Sequence, residues 1–288
     1  MAASSKNPTS PTSSVAERLR FAPGTLLADL DPGSTPGIEG GKTEGTAALA
    51  AGTKPLSALQ ERLFAEGRAG GTRSVLLVVQ GMDTSGKGGI MRHVVGAVDP
   101  QGVRHTAFKA PDAVEAKHDF LWRIRRALPR PGEIGVFDRS HYEDVLIARV
   151  EGLVPEATWQ ARYAAINRFE VKTAQQGTSV IKVMLHISPK EQKKRLAQRL
   201  ERPDKHWKYN PGDIDVRLRW DEYMQAYQYA LSRCSTAQAP WYVVPADHKW
   251  YARWAVQQLL LDQLAALDPQ WPPADFDVEA EKRRLAES

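Results

Sequence analysis

The pattern of hydrophobic positions changes character near residue 74. From there on, runs of consecutive apolar residues alternate with longer stretches in which apolar residues recur every three or four positions. Runs of the first kind are typical of strands buried on both faces, and stretches of the second kind are typical of amphipathic helices. The pattern predicts strands over 74–80, 103–108, 134–137, 179–187 and 241–244. It predicts helices over 87–98, 112–128, 141–150, 155–176, 189–201, 214–232 and 249–267.

Alternation of strands and helices favours an α/β fold. We expect three layers, in which a five-stranded, mainly parallel sheet is covered by helices on both faces. Right-handed crossovers then place the loops that bind ligands at the carboxyl ends of the strands.

The rest of the chain is more polar. Residues 1–20 are rich in Ser, Thr and Pro, which predicts a disordered tail. Residues 21–71 combine turn signals with a helical pattern over 56–64, and we expect an irregular arm followed by a helix that packs on the core. The main domain covers 72–267, and residues 268–288 are predicted to be a peripheral tail.

Composition excludes several classes of protein. With 288 residues, 42% hydrophobic and 25% charged, the chain is not a disordered, collagenous or coiled-coil protein. Its longest apolar run near the middle, 75–79, is far shorter than the roughly 18 residues of a membrane span. The first residues lack the apolar stretch of a signal peptide, and Cys234 has no second cysteine to pair with. These features predict a cytoplasmic protein.

The net charge of +5 is concentrated in one segment. Residues 190–220 contain ten Lys or Arg (190, 193, 194, 195, 199, 202, 205, 208, 217 and 219) and five Asp or Glu (191, 201, 204, 213 and 215). The difference, also +5, leaves the remainder of the chain balanced. Such a segment attracts polyanions, although a solvated helix face followed by a charged loop would look the same.

A phosphate-binding motif follows the first predicted strand. Residues 81–89 read GMDTSGKGG, which contains the G-x-x-x-x-G-K pattern of a P-loop between a strand and a helix. Backbone N–H groups of such a loop surround phosphate oxygens, and Lys87 can reach the terminal phosphates. The candidate phosphate-binding residues of this loop are Gly81, Thr84, Ser85, Gly86, Gly88 and Gly89.

The loop departs from the usual P-loop at one position. Gly88 stands where Ser or Thr normally supplies a hydroxyl to Mg²⁺. Asp83 lies inside the loop, where a carboxylate beside phosphates would be repelled unless a cation lay between them. We therefore expect Asp83 to supply the missing metal ligand. The alternative is an Asp side chain that only bonds its own turn.

A second carboxylate, Asp138, ends the third predicted strand. A carboxylate after a buried apolar strand, about fifty residues beyond the P-loop, is the Walker B arrangement. If this strand lies beside the first, Asp138 can share a metal ion with Asp83. Arg139 follows and could bind a phosphate through two hydrogen bonds. A helix N-cap and a surface ion pair are the structural alternatives for these two residues.

The basic segment resembles a lid. Arg195, Arg199 and Arg202 are spaced i, i+4, i+7 and share one helix face, and Lys205 and Lys208 follow in a loop that contains proline. A cationic lid over about 195–213 could close over phosphates and exclude water. Trp207 and Tyr209 are expected to anchor this loop by packing rather than to stack on bases.

Together these motifs resemble the family-2 polyphosphate kinases, which have a P-loop kinase fold related to thymidylate kinase. The matching stretches are GMDTSGKGG, FDRSHYEDVL, RLERPDKHWKYNPGD and WYVVPADHKWYAR, in order over about 25–267. The resemblance implies that Asp83 and Asp138 hold Mg²⁺ (or Mn²⁺), that Lys87 and Arg139 hold the transferring phosphates, and that Arg199 contacts phosphate. It places Asp247, Lys249 and Arg253 after the last strand with open roles, and it implies a homodimer or homotetramer.

The predicted activity is transfer of a terminal phosphoryl group between inorganic polyphosphate and a nucleotide. Adenine nucleotides are expected, as ADP/ATP or AMP, with guanine nucleotides as an alternative and with no nucleic acid or membrane as partner. Some members of the family have Asn in place of Asp138, so this residue leaves the choice between mono- and diphosphate acceptors open. The rival hypotheses are an ATP-dependent nucleotide or nucleoside kinase of the thymidylate-kinase type and a P-loop sensor that binds polyanions.

Overall fold

The computed structural model describes residues 14–288. Its sheet has five strands in the order β2-β3-β1-β4-β5, and every neighbouring pair is parallel. The predicted α/β fold with a five-stranded sheet is therefore confirmed. The strands are β1 (Ser74–Gln80), β2 (Val103–Ala107), β3 (Ile134–Asp138), β4 (Thr178–His186) and β5 (Trp241–Pro245).

Helices cover both faces of this sheet. Alternate residues of β1 face opposite ways: Leu77 belongs to the larger apolar core, whereas Leu76 belongs with Ile124 to the core on the other face. The α-helices of residues 14–288 are α1 (Val15–Leu19), α2 (Lys42–Arg68), α3 (Lys87–His93), α4 (Trp122–Ala127), α5 (Ile147–Val150), α6 (Glu156–Gln175), α7 (Pro189–Glu201), α8 (Gly212–Leu218), α9 (Trp220–Cys234), α10 (Lys249–Leu267) and α11 (Val278–Ala286).

The N-terminal region is more regular than its composition suggests. Residues 1–13 of the predicted tail lie outside the described residues, but α1 begins at Val15 with a capping box between Ser14 and Glu17. Residues 42–54 of the predicted irregular arm belong to α2, which continues through Pro55. Packing explains this difference, because a Cβ at Gly45 would come within 2.0 Å of the Trp250 ring on α10. Glycine here allows close helix packing and does not end the helix.

Four predicted helices differ from the structure. Those expected over 87–98 and 141–150 are reduced to α3 and α5, each with a 3₁₀ turn beside it. The helix expected over 112–128 is reduced to α4, because Asp112 Oδ1 accepts hydrogen bonds from the N–H groups of Val114 and Glu115 and stabilises a turn instead. The helix expected over 214–232 is divided into α8 and α9 by a non-helical residue, Arg219. The C-terminal α11 buries none of its residues.

A buried ion pair joins β4 to α6 and the segment after β3. Lys182 Nζ donates to Glu170 Oε2 at 2.5 Å and to the Tyr142 hydroxyl at 2.9 Å, and Tyr142 and His141 also bond Glu170. A further bond from Lys182 reaches the carbonyl of Cys234. Although burial opposes its charge, Lys182 and His141 keep the pKa of Glu170 below its ordinary value. We call Lys182, Glu170, Tyr142 and His141 together the buried network.

Candidate active site

The P-loop connects the end of β1 to α3. Gly81 has φ +151°, and a Cβ there would lie 2.7 Å from Ser85 Oγ and 2.9 Å from the carbonyl oxygen of Leu185, so only glycine fits. Thr84 has φ 64°, in the left-handed region that a β-branched residue rarely adopts. Lys87 Nζ donates to the Gly81 carbonyl at 2.7 Å and so folds back across the loop.

The two predicted metal ligands come from neighbouring parts of the sheet edge: Asp138 ends β3, and Asp83 lies in the P-loop that follows β1. Asp138, at the end of β3, pairs with Val79 of β1, two residues before the P-loop begins. Arg139 also has a left-handed backbone, with φ 63°; its N–H donates to the Val79 carbonyl and its guanidinium donates to Asp83 Oδ1 at 3.2 Å. Strand β3 therefore lies beside β1, which is the arrangement that the sequence analysis required for Asp138 to lie near Asp83.

A cavity of about 440 Å³ opens over the P-loop, and we call it the cationic cavity. Its walls come from the P-loop, α3, the lid and α10. It brings together most of the predicted site residues, namely Asp83, Thr84, Ser85, Gly86, Lys87, Gly88, Gly89, Asp138, Arg195, Arg199, Arg202, Lys205 and Lys208. It also contains four basic residues to which sequence reasoning gave no role: Arg92, His93, Lys249 and Arg253.

Some cations of this cavity have carboxylate partners. Arg199 pairs with Asp213 at 3.2 Å and also donates to the Lys208 carbonyl. Arg202 and Lys205 share Asp204, whose pKa the hydrogen bond from Arg202 lowers to about 2. Other cations form no ion pair within residues 14–288; they are Lys87, Arg92, Lys208, Lys249 and Arg253.

Burial and neighbouring cations lower the pKa of three basic residues in this cavity. Burial and the charge of Arg195 lower the pKa of Lys249, and burial with Arg195 and Arg92 lowers the pKa of Arg253. The pKa of His93 is lowered by burial and by Arg253 and Arg92. The cationic cavity therefore has a positive potential that favours an anionic ligand.

A second, smaller cavity lies on the other side of Asp83. It measures about 230 Å³, and its lining includes Gly81, Arg139, Glu143 and Asp213. Burial raises the pKa of Glu143, and burial together with the nearby Asp83 raises the pKa of Asp213. Although burial opposes the charge of Arg139, Glu143 and Asp83 raise its pKa. This cavity, the mixed-charge cavity, contains both signs, in contrast to the cationic cavity.

The lid loop differs from its prediction in one respect. Trp207 does not anchor the loop by packing, because 78% of its surface is exposed and its ring lies 4.7 Å from Lys208 Nζ. Tyr209 is half-buried. Within residues 14–288, no three Asp, Glu, His or Cys side chains lie close enough together to hold a metal ion by themselves.

Comparison with known proteins identifies the family. The family model described as polyphosphate kinase 2 (PPK2) matches residues 40–272. The chain belongs to the polyphosphate kinase 2 family. This membership confirms the predicted enzyme activity, phosphoryl transfer between polyphosphate and a nucleotide, and favours it over an ATP-dependent kinase or a sensor.

Several members of the polyphosphate kinase 2 family are similar over most of their length. The AMP/ADP-polyphosphate phosphotransferase of Meiothermus ruber is 46% identical over 88% of this chain and 93% of its own. The ADP-polyphosphate phosphotransferase of Rhodopseudomonas palustris is 43% identical over 75% of this chain and 78% of its own. The crystal structure of polyphosphate kinase 2 from Arthrobacter aurescens TC1 is 58% identical, with a TM-score of 0.94 over 96% of this chain and 98% of that one. The P-loop kinase fold is thereby confirmed.

Within residues 14–288, no helix is both long enough and apolar enough to cross a bilayer.

Proposed function

We propose that the cationic cavity binds inorganic polyphosphate and that the mixed-charge cavity binds the acceptor nucleotide. The phosphoryl group would then pass from polyphosphate to the nucleotide beside Asp83, where the two cavities meet. The observation that supports this assignment is that Asp83 borders two cavities of different charge. Polyphosphate carries a negative charge on every phosphate, so it matches the cavity in which cations are unpaired. A nucleotide carries fewer charges and is the better match for the mixed-charge cavity.

Each site residue then has a role. Lys87 and the P-loop residues Gly81, Thr84, Ser85, Gly86, Gly88 and Gly89 would hold the terminal phosphates of polyphosphate. Arg199, Arg202, Lys205 and Lys208 of the lid would bind more distant phosphates, together with Arg92, Lys249 and Arg253. Arg139 would bind the phosphoryl group during transfer, because it reaches Asp83 between the two cavities.

A divalent metal ion, Mg²⁺ or Mn²⁺, fits this arrangement. Mg²⁺ is commonly held by one or two carboxylates, with waters and substrate phosphates as its other ligands. Asp83 and Asp138 both line the cationic cavity, and their carboxylate oxygens are the ligands that Mg²⁺ takes from protein. When bound, the ion would neutralise charge on the phosphates.

The chemistry needs little from general acid–base catalysis. A phosphate oxygen of the acceptor nucleotide is already ionised near neutral pH, so no residue has to remove a proton. Catalysis would depend on alignment of the acceptor and donor and on neutralisation of charge by Lys87 and Arg139. To contact phosphate, Arg199 would have to exchange its ion pair with Asp213 for one with the substrate. This change of partner would couple closure of the lid to the binding of substrate.

The acceptor is proposed to be ADP, with AMP as a second acceptor. The similar proteins from Meiothermus ruber and Rhodopseudomonas palustris are named for AMP/ADP and for ADP respectively. Guanine nucleotides are a further acceptor class to test. A homodimer or homotetramer, which the resemblance implies, is a prediction that the molar mass in solution checks.

The decisive experiment is ATP formation without added ATP. Purified protein is given Mg²⁺, polyphosphate of defined length and either ADP or AMP, and ATP is measured by luminescence and ADP by chromatography. We expect ATP from ADP, ADP from AMP, and a KM for long polyphosphate that rises steeply between about 50 and 300 mM salt. Absence of product would refute the proposed substrates, and a flat salt response would refute polyphosphate binding in the cationic cavity.

A further inference from the structure

Arg195 and Arg199 are one turn apart on α7, and their spacing predicts the same task for both. Their surroundings differ. Arg195 retains 4% of its accessible surface, whereas the Arg199 side chain retains 25% and lies over the cavity. Burial of Arg195 indicates that its partners are protein groups.

Every N–H donor of Arg195 is already used. A guanidinium has five such donors. Nε donates to Glu191 Oε1 at 2.8 Å, one terminal nitrogen donates to the carbonyls of Thr84 and Ser85 at 3.0 Å each, and the other donates to the carbonyls of Ala246 and Asp247 at 2.7 and 2.9 Å. No N–H group is left to bind a phosphate oxygen.

We propose that Arg195 is a positioning residue that holds the P-loop in its phosphate-binding shape and is not itself a phosphate ligand. The bonds to Thr84 and Ser85 turn these two carbonyls toward α7. Since the peptide group is planar and trans, the N–H that follows each carbonyl points the opposite way, so the N–H of Gly86 is directed away from α7. Thr84 also has its left-handed backbone at this point, and such a conformation persists only where surrounding contacts hold it.

The same side chain fixes the P-loop relative to two other walls of the cavity. Ala246 and Asp247 follow β5 and lead into α10, which contains Lys249 and Arg253. Asp247 Oδ1 in turn accepts a hydrogen bond from the N–H of Ser188 at the start of α7. Arg195 therefore joins the P-loop, the lid helix and the entrance to α10. This inference rests on the proposed binding of phosphate in the cationic cavity.

The test compares Arg195→Lys with Arg199→Lys, and uses Lys193→Ala as a control on the exposed side of the same helix. Lysine keeps the charge but provides three donors from a single atom, so it cannot bond five acceptors spread over three segments. For Arg195→Lys we expect kcat to fall about 10²-fold, as a misaligned site would, with the KM for polyphosphate and its salt dependence close to wild type. For Arg199→Lys we expect a higher KM for polyphosphate and a smaller loss of kcat, because an ammonium group cannot reproduce the two parallel hydrogen bonds of a guanidinium to phosphate. Lys193→Ala should match wild type.

A second measurement does not depend on turnover. Hydrogen exchange of the P-loop amides over 81–89, measured without substrate, should be faster in Arg195→Lys than in wild type or Arg199→Lys. Circular dichroism and the melting temperature establish that each variant is folded. If Arg195→Lys does not fold, Arg195→Gln, which also loses most of the five bonds, takes its place in both measurements.

Two results would overturn the proposal. One is an Arg195→Lys variant with normal kcat and a raised KM for polyphosphate, because those are the properties of a weakened phosphate ligand. The other is unchanged hydrogen exchange over 81–89. Failure of the proposed function is a separate outcome: wild-type protein would then form no ATP from polyphosphate and ADP, while the exchange experiment would still decide the role of Arg195.

Discussion

The protein contains two groups of cations in opposite electrostatic situations. In the buried network, Lys182 lies in the middle of β4 and contacts Glu170 and the Tyr142 hydroxyl, so its charge is fully compensated. In the cationic cavity, several cations have no carboxylate partner within residues 14–288, namely Lys87, Arg92, Lys208, Lys249 and Arg253.

The difference shows where the fold serves stability and where it serves a ligand. A buried charge without a partner is costly, so a charge inside the fold is matched by protein groups. Cations that are partly buried and repel one another also cost free energy, and burial together with the charge of Arg195 lowers the pKa of Lys249. Groups that lower the stability of a folded protein in this way are typically found at functional sites. In the cationic cavity, we infer that the phosphates of the substrate supply the missing negative charge.

The largest effect is expected from the carboxylates at the junction of the two cavities. Asp83→Asn and Asp138→Asn should each lower kcat by at least about 10²-fold, because the neutral amide is a much poorer metal ligand than the carboxylate. Initial rates of ATP formation at saturating polyphosphate and ADP measure this effect.

Stability is the control for these two variants. Because neither carboxylate belongs to the buried network, the melting temperature should stay within a few degrees of wild type. A near-normal rate in either variant would contradict a metal site made from both carboxylates.

The next largest effect should come from the buried network, and it should be on stability. Lys182→Met removes the cation and leaves Glu170 buried without it, which we expect to cost about 3–5 kcal/mol of the free energy of unfolding. Denaturant unfolding measures this loss, and kcat per folded molecule should stay within about twofold of wild type because Lys182 does not line either cavity.

A double variant sharpens this result. Lys182→Met with Glu170→Gln removes both charges, so it should recover part of the lost stability. The recovery should diminish at low pH, because without Lys182 the burial of Glu170 favours its protonated form. The ionised carboxylate destabilises Lys182→Met, and protonation at low pH removes that cost. A double variant as unstable as Lys182→Met would show that the network does not depend on charge balance.

Local sequence patterns predicted the sheet and the P-loop because both depend on neighbouring residues. The run over 75–79 is apolar at every position, and G-x-x-x-x-G-K requires glycine for its own backbone. The first half of α2, over 42–54, was predicted as irregular because Gly45 and Pro55 are helix breakers in isolation, and only the surface of α10 makes the small residue favourable. The S-x-x-E signal of Ser14 and Glu17 was available in the sequence and predicts α1.

The candidate site was predictable in its residue types but not in its pairings. The i, i+4 spacing places Arg195 and Arg199 on one face, yet it does not show that one bonds P-loop carbonyls and the other bonds Asp213. Arg92 and Lys249 enter the cavity from separate helices with no common motif. Contacts between residues more than a hundred positions apart form only in the folded protein, so the local periodicity of the sequence does not predict them.

A moderate effect is expected from the lid. Lys205→Ala with Lys208→Ala should raise the KM for long polyphosphate roughly tenfold, because each exposed contact contributes up to about 1 kcal/mol. The KM for ADP should change less than about twofold, since neither lysine lines the mixed-charge cavity. Kinetics with long chains and with tripolyphosphate separate the two effects, and the shorter donor should be affected less.

The matched control removes the same charge from the same region. Lys190→Ala with Lys193→Ala replaces two exposed lysines of α7 that lie outside the cavity. If this control raises the KM as much as the lid variant, a general loss of positive charge explains the result. An equal rise in both substrate KM values would instead make the lid a general cover.

The smallest effect is a change in the pKa of His93, which reports the potential of the cationic cavity directly. Burial, Arg253 and Arg92 lower this pKa below its ordinary value of 6.5, so the folded protein resists a proton that the unfolded chain accepts, and this contribution to stability is lost as the pH falls through that range. Polyphosphate should raise the pKa of His93, because its charge compensates the two arginines. Titration of the imidazole by NMR, with and without tripolyphosphate, measures this change in pKa.

Arg253→Met is the matched variant. It should raise the pKa of His93 in the free protein and reduce the further rise on binding. An unchanged pKa of His93 in the presence of saturating polyphosphate would place the polyanion elsewhere.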